Sequence, residues 1–159
     1  MKKETHSSLK SGKTLFQLIW KWFWLTFLVI SLAYAWYSFY VPSNDIVWDS
    51  SITSIEKLDN NSNKNTLVFF TAEWCVPCRI MKRNVFADTE VMQIVNTEVT
   101  PVIIDIDNPD TQELVTHYQI GATPTTIIVD SEGNVLDYAE GKIEKEKFLE
   151  MLTNLNTTK

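Results

Sequence analysis

Three hydrophobic patterns follow one another along the chain. From Trp22 to Val41 no charged residue interrupts a run of aliphatic and aromatic side chains. As a helix rising about 1.5 Å per residue, such a run extends roughly 30 Å, which matches the hydrocarbon core of a bilayer. Aromatic rings crowd both ends, Trp20, Trp22 and Trp24 at one and Trp36, Tyr37 and Tyr40 at the other, where amphipathic rings favour the headgroup region. No polar face marks it as a helix buried in a soluble core, so the pattern predicts a membrane span over residues 22–41.

A short tether, 42–45, leads into shorter blocks. Residues 46–48 read as a first short strand, and Thr53-x-x-Glu56 as a capping box opening a helix through Leu58. The polar run 59–65 lacks hydrophobic periodicity and predicts a loop. Leu67, Val68, Phe69 and Phe70 are continuously apolar, as in a strand buried on both faces. Cys78, Met81 and Val85 then recur at helical spacing, and Asp88 is placed to cap a second helical piece striped by Val91, Ile94 and Val95.

Residues 100–106 predict another strand, ending in the acidic Asp105 and Asp107. Asn108-Pro109 reads as an N-cap with proline in the first helical position, opening a helix to about Gln119. Strands follow over 125–129 and 135–138, joined by a turn that contains Gly133. Phe148, Met151, Leu152 and Leu155 form the core-facing stripe of a last helix, with residues 144–147 facing water. The order β-α-β-α-β-β-α, with a parallel start and a hairpin near the end, predicts a layered α/β fold.

Charge divides the chain the same way. Lys2, Lys3, Lys10, Lys13 and Lys21 against Glu4 give +4 up to Pro42, and since the whole chain carries -6, the remainder carries -10. All five lysines precede the apolar run, so the positive-inside rule predicts a cytoplasmic segment over 1–21, a transmembrane anchor over 22–41 and an extracytoplasmic domain over 42–159. Ala33-Tyr34-Ala35 also fits a signal-peptide cleavage site, but the apolar run continues through Tyr40 and the basic segment is long for a signal peptide. An acidic domain of this kind argues against nucleic-acid binding.

The two cysteines, Cys75 and Cys78, stand two residues apart just beyond the buried strand. Zinc would need about two further thiolate or imidazole ligands, and the chain offers only His6 and the distant His117. A structural bridge closing so short a loop stabilises a fold little. A disulfide made and broken in turn is the reading that remains. If a helix begins at Cys75, its free N–H groups and dipole favour the thiolate there. Arg79 and Lys82 add positive charge. Cys75 is then the exposed attacking thiol, Cys78 the buried resolving thiol, and Pro77 a first-turn residue that stiffens the loop.

Ala72-Glu73-Trp74-Cys75-x-Pro77-Cys78 followed by Ile120-x-Ala122-Thr123-Pro124-Thr125 resembles the thioredoxin family over about residues 45–156. The resemblance implies a thioredoxin fold, a mixed sheet flanked by helices, with Pro124 cis beside the redox-active Cys75-Cys78 disulfide and the backbone of Thr123 pairing with substrate. Trp74 and Pro77 would support the same surface. Within the family the Trp74–Cys78 motif, Asn84-Val85-Phe86 and the anchor most resemble the periplasmic C-terminal domain of DsbD-type interchange proteins, with membrane-tethered reductases of cytochrome c maturation close behind.

That likeness implies a thiol-disulfide oxidoreductase of the bacterial inner membrane that needs no cofactor. It would reduce extracytoplasmic disulfide-containing proteins and draw electrons from a membrane or thiol donor. A redox-inactive binding module and a net oxidase or isomerase are the alternatives. The chain departs from relatives at two positions: Phe69 stands where many thioredoxins carry a buried aspartate, and Lys82 where DsbD-type domains often carry glutamate.

Overall fold

The computed structural model describes residues 8–59 and 64–155, with side chains from residue 15 onward. Residues 1–7 of the basic N-terminal segment and 60–63 of the 59–65 loop lie outside the described residues. The chain divides into two units between Tyr40 and Val41. The first contains one long helix, α1 (Ser8–Phe39), within which Leu15–Phe39 is long and apolar enough to cross a membrane by length and composition. It starts before residue 22 and stops short of Tyr40 and Val41, which belong to no helix.

In the second unit, α2 (Ile55–Asp59) precedes β1 (Thr66–Thr71), α3 (Val76–Asn84), α4 (Thr89–Glu98) and β2 (Thr100–Asp105). A 3-10 turn at Pro109–Thr111 leads into α5 (Gln112–His117), and β3 (Thr125–Val129), β4 (Val135–Glu140) and α6 (Lys145–Asn154) complete it. The sheet order is β2-β1-β3-β4, with β1 parallel to β2 and antiparallel to β3. The α/β layers, the parallel start and the terminal hairpin are as the sequence predicts.

β1 is buried along its whole length, and its alternating side chains serve two cores. Leu67 and Phe69 face a cluster with Met81, Val85, Phe86, Val91, Val95, Phe148 and Met151, so α3, α4 and α6 cover that side. Val68 and Phe70 face the other, with Leu58, Val102, Ile104, Leu114 and Tyr118 from α2, β2 and α5. Phe86 is the hub of the first core. Its ring lies edge-on to Phe69 at 4.8 Å, to Trp48 at 5.1 Å and to Phe148 at 5.3 Å.

Several local predictions shift. Residues 46–48 form no strand, and the only pairing there is an isolated parallel bridge between Asp49 and Val102. Side chains have taken the backbone groups instead: Ile46 N–H donates to Asn44 Oδ1 and Val47 N–H to Asn96 Oδ1. The capping box at Thr53 does not form, since α2 starts at Ile55 with Ser54 C=O accepting from Leu58 N–H, and Thr53 Oγ1 takes Lys57 Nζ. The helix expected from Pro109 to Gln119 is a 3-10 turn followed by α5, and it ends early because Gln119 adopts a left-handed φ of 52°. Gly133, at φ 79°, makes the β3–β4 turn as expected.

Asp88 caps α4 as predicted, accepting from Glu90 and Val91 N–H. Lys145, expected in water, instead reaches across to Asp88 and Glu90, 2.9 Å from each, and ties α6 to the start of α4. That bond to Lys145, with the capping N–H groups, holds the Asp88 carboxyl below its usual range. A depressed carboxyl stabilises the fold above its unfolded pKa, and the contribution is lost as pH falls through the lower folded value. The urea midpoint of the parent is therefore expected to fall from pH 7 to pH 3 more steeply than that of Lys145→Met. Parallel curves would remove the bridge from the acid response.

Candidate active site

Cys75 is the N-cap of α3, in extended conformation, and its Sγ accepts a hydrogen bond of 3.1 Å from Cys78 N–H. Val76 and Pro77 occupy the first turn, where a missing proline N–H costs nothing. The two cysteines form a disulfide across a Cα–Cα distance of 5.3 Å. The geometry therefore supplies what the sequence predicts, a sulfur at the positive end of a helix with a backbone donor aimed at it.

One expectation is corrected. Cys75 is not the more exposed thiol of the pair, because each cysteine residue is 1% exposed in the oxidised protein. In the bridged state Cys75 Sγ lies against the helix start, 3.1 Å from Cys78 N. Position at the cap, rather than exposure, distinguishes the two. Around them, Trp74 is 64% exposed and Val76 and Pro77 also face solvent. Trp74 Nε1 donates to Asp107 Oδ2 at 2.7 Å, which fixes the indole over the loop, and Arg79 Nη1 donates to the carbonyl of Glu73 at 2.9 Å. The sequence pointed to Trp74 and Arg79 but not to these partners. The Asp105-x-Asp107 acids ending β2 were the available signal.

The Thr123–Pro124 peptide bond is cis, as the resemblance implied. Thr125 pairs with Phe70 in the sheet register, so Thr123-Pro124 enters β3 at the end of the sheet where β1 runs into the cysteine loop. Pro124 C=O accepts from Gly141 N–H, and Thr125 Oγ1 donates to Ala122 C=O. Among the described residues, neither backbone polar group of Thr123 has an intramolecular partner. His117 lies in α5, edge-on to Tyr118, away from the cysteine loop in sequence and element.

Lys82, one turn beyond Cys78, is half-buried with its Nζ 6.0 Å from the centre of the Phe69 ring. Burial pushes its ammonium below the ordinary lysine range, against the pull of Asp105. A polar cleft of about 290 Å³ opens beside it, lined by Thr71, Ala72, Glu73, Lys82, Asp105 and Thr111 among others.

The thioredoxin-like domain family matches residues 53–156, which is most of the chain and every element from α2 to α6. The chain belongs to the thioredoxin-like family. With its cysteines at disulfide geometry it is a thioredoxin-like thiol-disulfide oxidoreductase. It is 29% identical over 135 residues to the thiol:disulfide interchange protein DsbD of Colwellia psychrerythraea, covering 72% of this chain and 22% of the relative. It is 32% identical over 106 residues to chloroplastic thioredoxin Y2 of Arabidopsis thaliana, covering 65% of this chain and 59% of that one.

Among solved structures, the reduced C-terminal domain of Neisseria meningitidis DsbD matches this thioredoxin-like chain with a TM-score of 0.52 and 27% identity, over 62% of this chain and 87% of that domain. The chain thus spans about a fifth of the length of the DsbD protein it matches, while covering most of the isolated domain.

Proposed function

We propose that the chain is a single-pass protein of the bacterial inner membrane whose domain over 42–159 works outside the cytoplasm as a reductant of protein disulfides. The observation that carries the redox role is the Cys75–Cys78 bridge at the start of α3, with Cys78 N–H aimed at Cys75 Sγ. The apolar Leu15–Phe39 segment and the lysines that precede residue 22 support an anchor with its N-terminus in the cytoplasm. The likeness to DsbD-type proteins supports a reducing role and a donor that is itself a membrane protein or a thiol.

In the reduced protein, Cys75 is the thiolate that attacks one sulfur of a substrate disulfide. The substrate's other sulfur leaves and takes a proton from solvent. The unengaged backbone of Thr123, at the same end of the sheet, favours a substrate strand laid beside it, flanked by Trp74 and Pro77. Cys78 then loses its proton and attacks Cys75 Sγ, the mixed disulfide breaks, and the substrate departs with both sulfurs reduced. Two electrons have passed, and the bridge seen in the structure remains for the donor to reopen. No cofactor enters.

Direction and placement are both measurable on the full chain. Val76-Pro77 lacks the histidine that stabilises the thiolate in strongly oxidising C-P-H-C relatives, so equilibration with glutathione is expected to give a potential nearer about -270 mV than about -120 mV. A value at the oxidising end would make the protein an oxidase. Protease added to intact spheroplasts is expected to remove residues beyond the span, and full protection would reverse the orientation.

A further inference from the structure

Resolution of the mixed disulfide requires an anion at Cys78, a residue 1% exposed on the apolar face of α3. Burial opposes that anion, as it opposes any charge in a medium of low dielectric. No carboxylate stands on β1 beneath it, because that strand is Thr66-Leu67-Val68-Phe69-Phe70-Thr71 throughout. β3 offers none either. The charged groups near the loop are Arg79 and Lys82 on α3, Glu73 before it, and Asp105 and Asp107 at the end of β2. α6 meets this core through Phe148, Met151 and Leu152.

Two of these groups are directed elsewhere. Asp107 accepts from Trp74, and Arg79 donates to the Glu73 carbonyl. Lys82 is different. It follows Cys78 by one helical turn, a spacing that places the two Cβ atoms about 5–6 Å apart. Its Nζ lies 6.0 Å from the centre of the Phe69 ring, and Phe69 packs in the same cluster as both cysteines. Among the described residues it makes no ion pair within 4.0 Å, so Asp105 acts on it only through space. A half-buried cation with no contact partner gains when a second anion forms beside it, and that gain is reciprocal.

We propose that Lys82 is a positioning residue for the second step of exchange, its ammonium stabilising the Cys78 thiolate that attacks Cys75. The polar cleft supplies the route for the proton. It reaches Ala72, whose carbonyl accepts from Cys75 N–H, and it is walled by the buried Thr71 hydroxyl, which has no protein partner, and by Thr111 and Asp105. Its volume admits water. The Cys78 proton passes to solvent entering there, and the sulfur electron pair it leaves forms the Cys75–Cys78 bond as the Cys75–substrate bond breaks. Lys82 neither gains nor loses a proton. A cation here performs by attraction what a carboxylate would perform by accepting a proton.

The inference rests on the proposed exchange chemistry, yet its test does not need turnover. In the full-length Cys75→Ser variant only one thiol remains, and the pH dependence of its alkylation by iodoacetamide reads Cys78 directly. Adding Lys82→Gln is expected to raise the alkylation midpoint by about one pH unit, and Lys82→Arg to restore it. With both cysteines present, Lys82→Gln is expected to slow release of glutathione from a preformed mixed disulfide about tenfold at pH 7, with convergence to the parent rate at high pH.

Should Lys82→Gln fail to fold, Lys82→Met, which keeps an uncharged, flexible side chain at this half-buried position, decides the matter by the same readout. Midpoints that coincide for charged and uncharged side chains would overturn the proposal and leave Lys82 as packing. A parent chain that reduces no disulfide would overturn the exchange reading alone, and the alkylation shift would stand or fall separately.

Discussion

Replacing Cys78 by alanine is expected to leave the protein covalently attached to its substrates through Cys75, while Cys75→Ser attaches to none. With the resolving thiol gone, attack still proceeds to the mixed disulfide, whose only exit is an outside thiol. Turnover of a model disulfide such as insulin should fall on the order of a thousandfold or more in either variant, since each removes a sulfur whose work no other group in the chain can do. Cys75 and Cys78 are the only cysteines. Non-reducing electrophoresis of Cys78→Ala recovered from cells therefore reports on Cys75 alone. Complexes that persist in Cys75→Ser, or their absence from Cys78→Ala, would assign attack to the wrong sulfur.

Phe86→Ala is expected to carry the largest stability loss outside the disulfide, about 3–5 kcal/mol. The ring is fully buried and meets Trp48, Phe69 and Phe148 edge-on, so its removal leaves a cavity that three rigid rings cannot collapse to fill. Total stabilities of domains are of the order of 5–15 kcal/mol, so the variant sits near its unfolding threshold. Pulse proteolysis across a urea series on the full chain measures the change. A loss under about 1 kcal/mol would mean that the core repacks around the gap. Phe69 also packs in one cluster with Cys78 and Met81, so disturbance of this cluster reaches the cysteine helix as well as the fold.

The regular elements were legible because their signals are local and repeated. The four apolar residues of β1, the helical spacing of Cys78, Met81 and Val85, and the stripe of α6 all give the buried faces found in the structure. The geometry of the candidate site was legible for the same reason, since its cysteines, cap and prolines lie in two short motifs. What escaped depends on partners distant in sequence. Asn96 reaches 49 residues back to Val47 N–H and displaces a strand, and Lys145 crosses from α6 to the cap of α4. The exposure of Cys75 was misjudged because cap position says where a sulfur attaches, whereas the bridge decides which way it points.

The end of β2 sets the division between Asp105 and Asp107: Asp105 is the last residue of the strand, and Asp107 lies in the turn beyond it. Asp107 turns to the indole of Trp74, and Asp105 lines the cleft with Lys82. A sequence that shows only an acidic pair cannot separate these duties. Substituting either one alone alters a different side of the same loop.

The burial of both cysteines bears on how such a protein keeps company with other redox couples. A small thiol meeting the oxidised form finds little sulfur at the surface and is expected to exchange slowly, whereas under the proposed docking along Thr123 a bound chain is expected to exchange faster. Traffic is then filtered at the door rather than by driving force. Two couples of unequal potential can share a compartment for long periods without equilibrating, provided that neither can gain entry to the other, and electrons travel along the routes that docking permits.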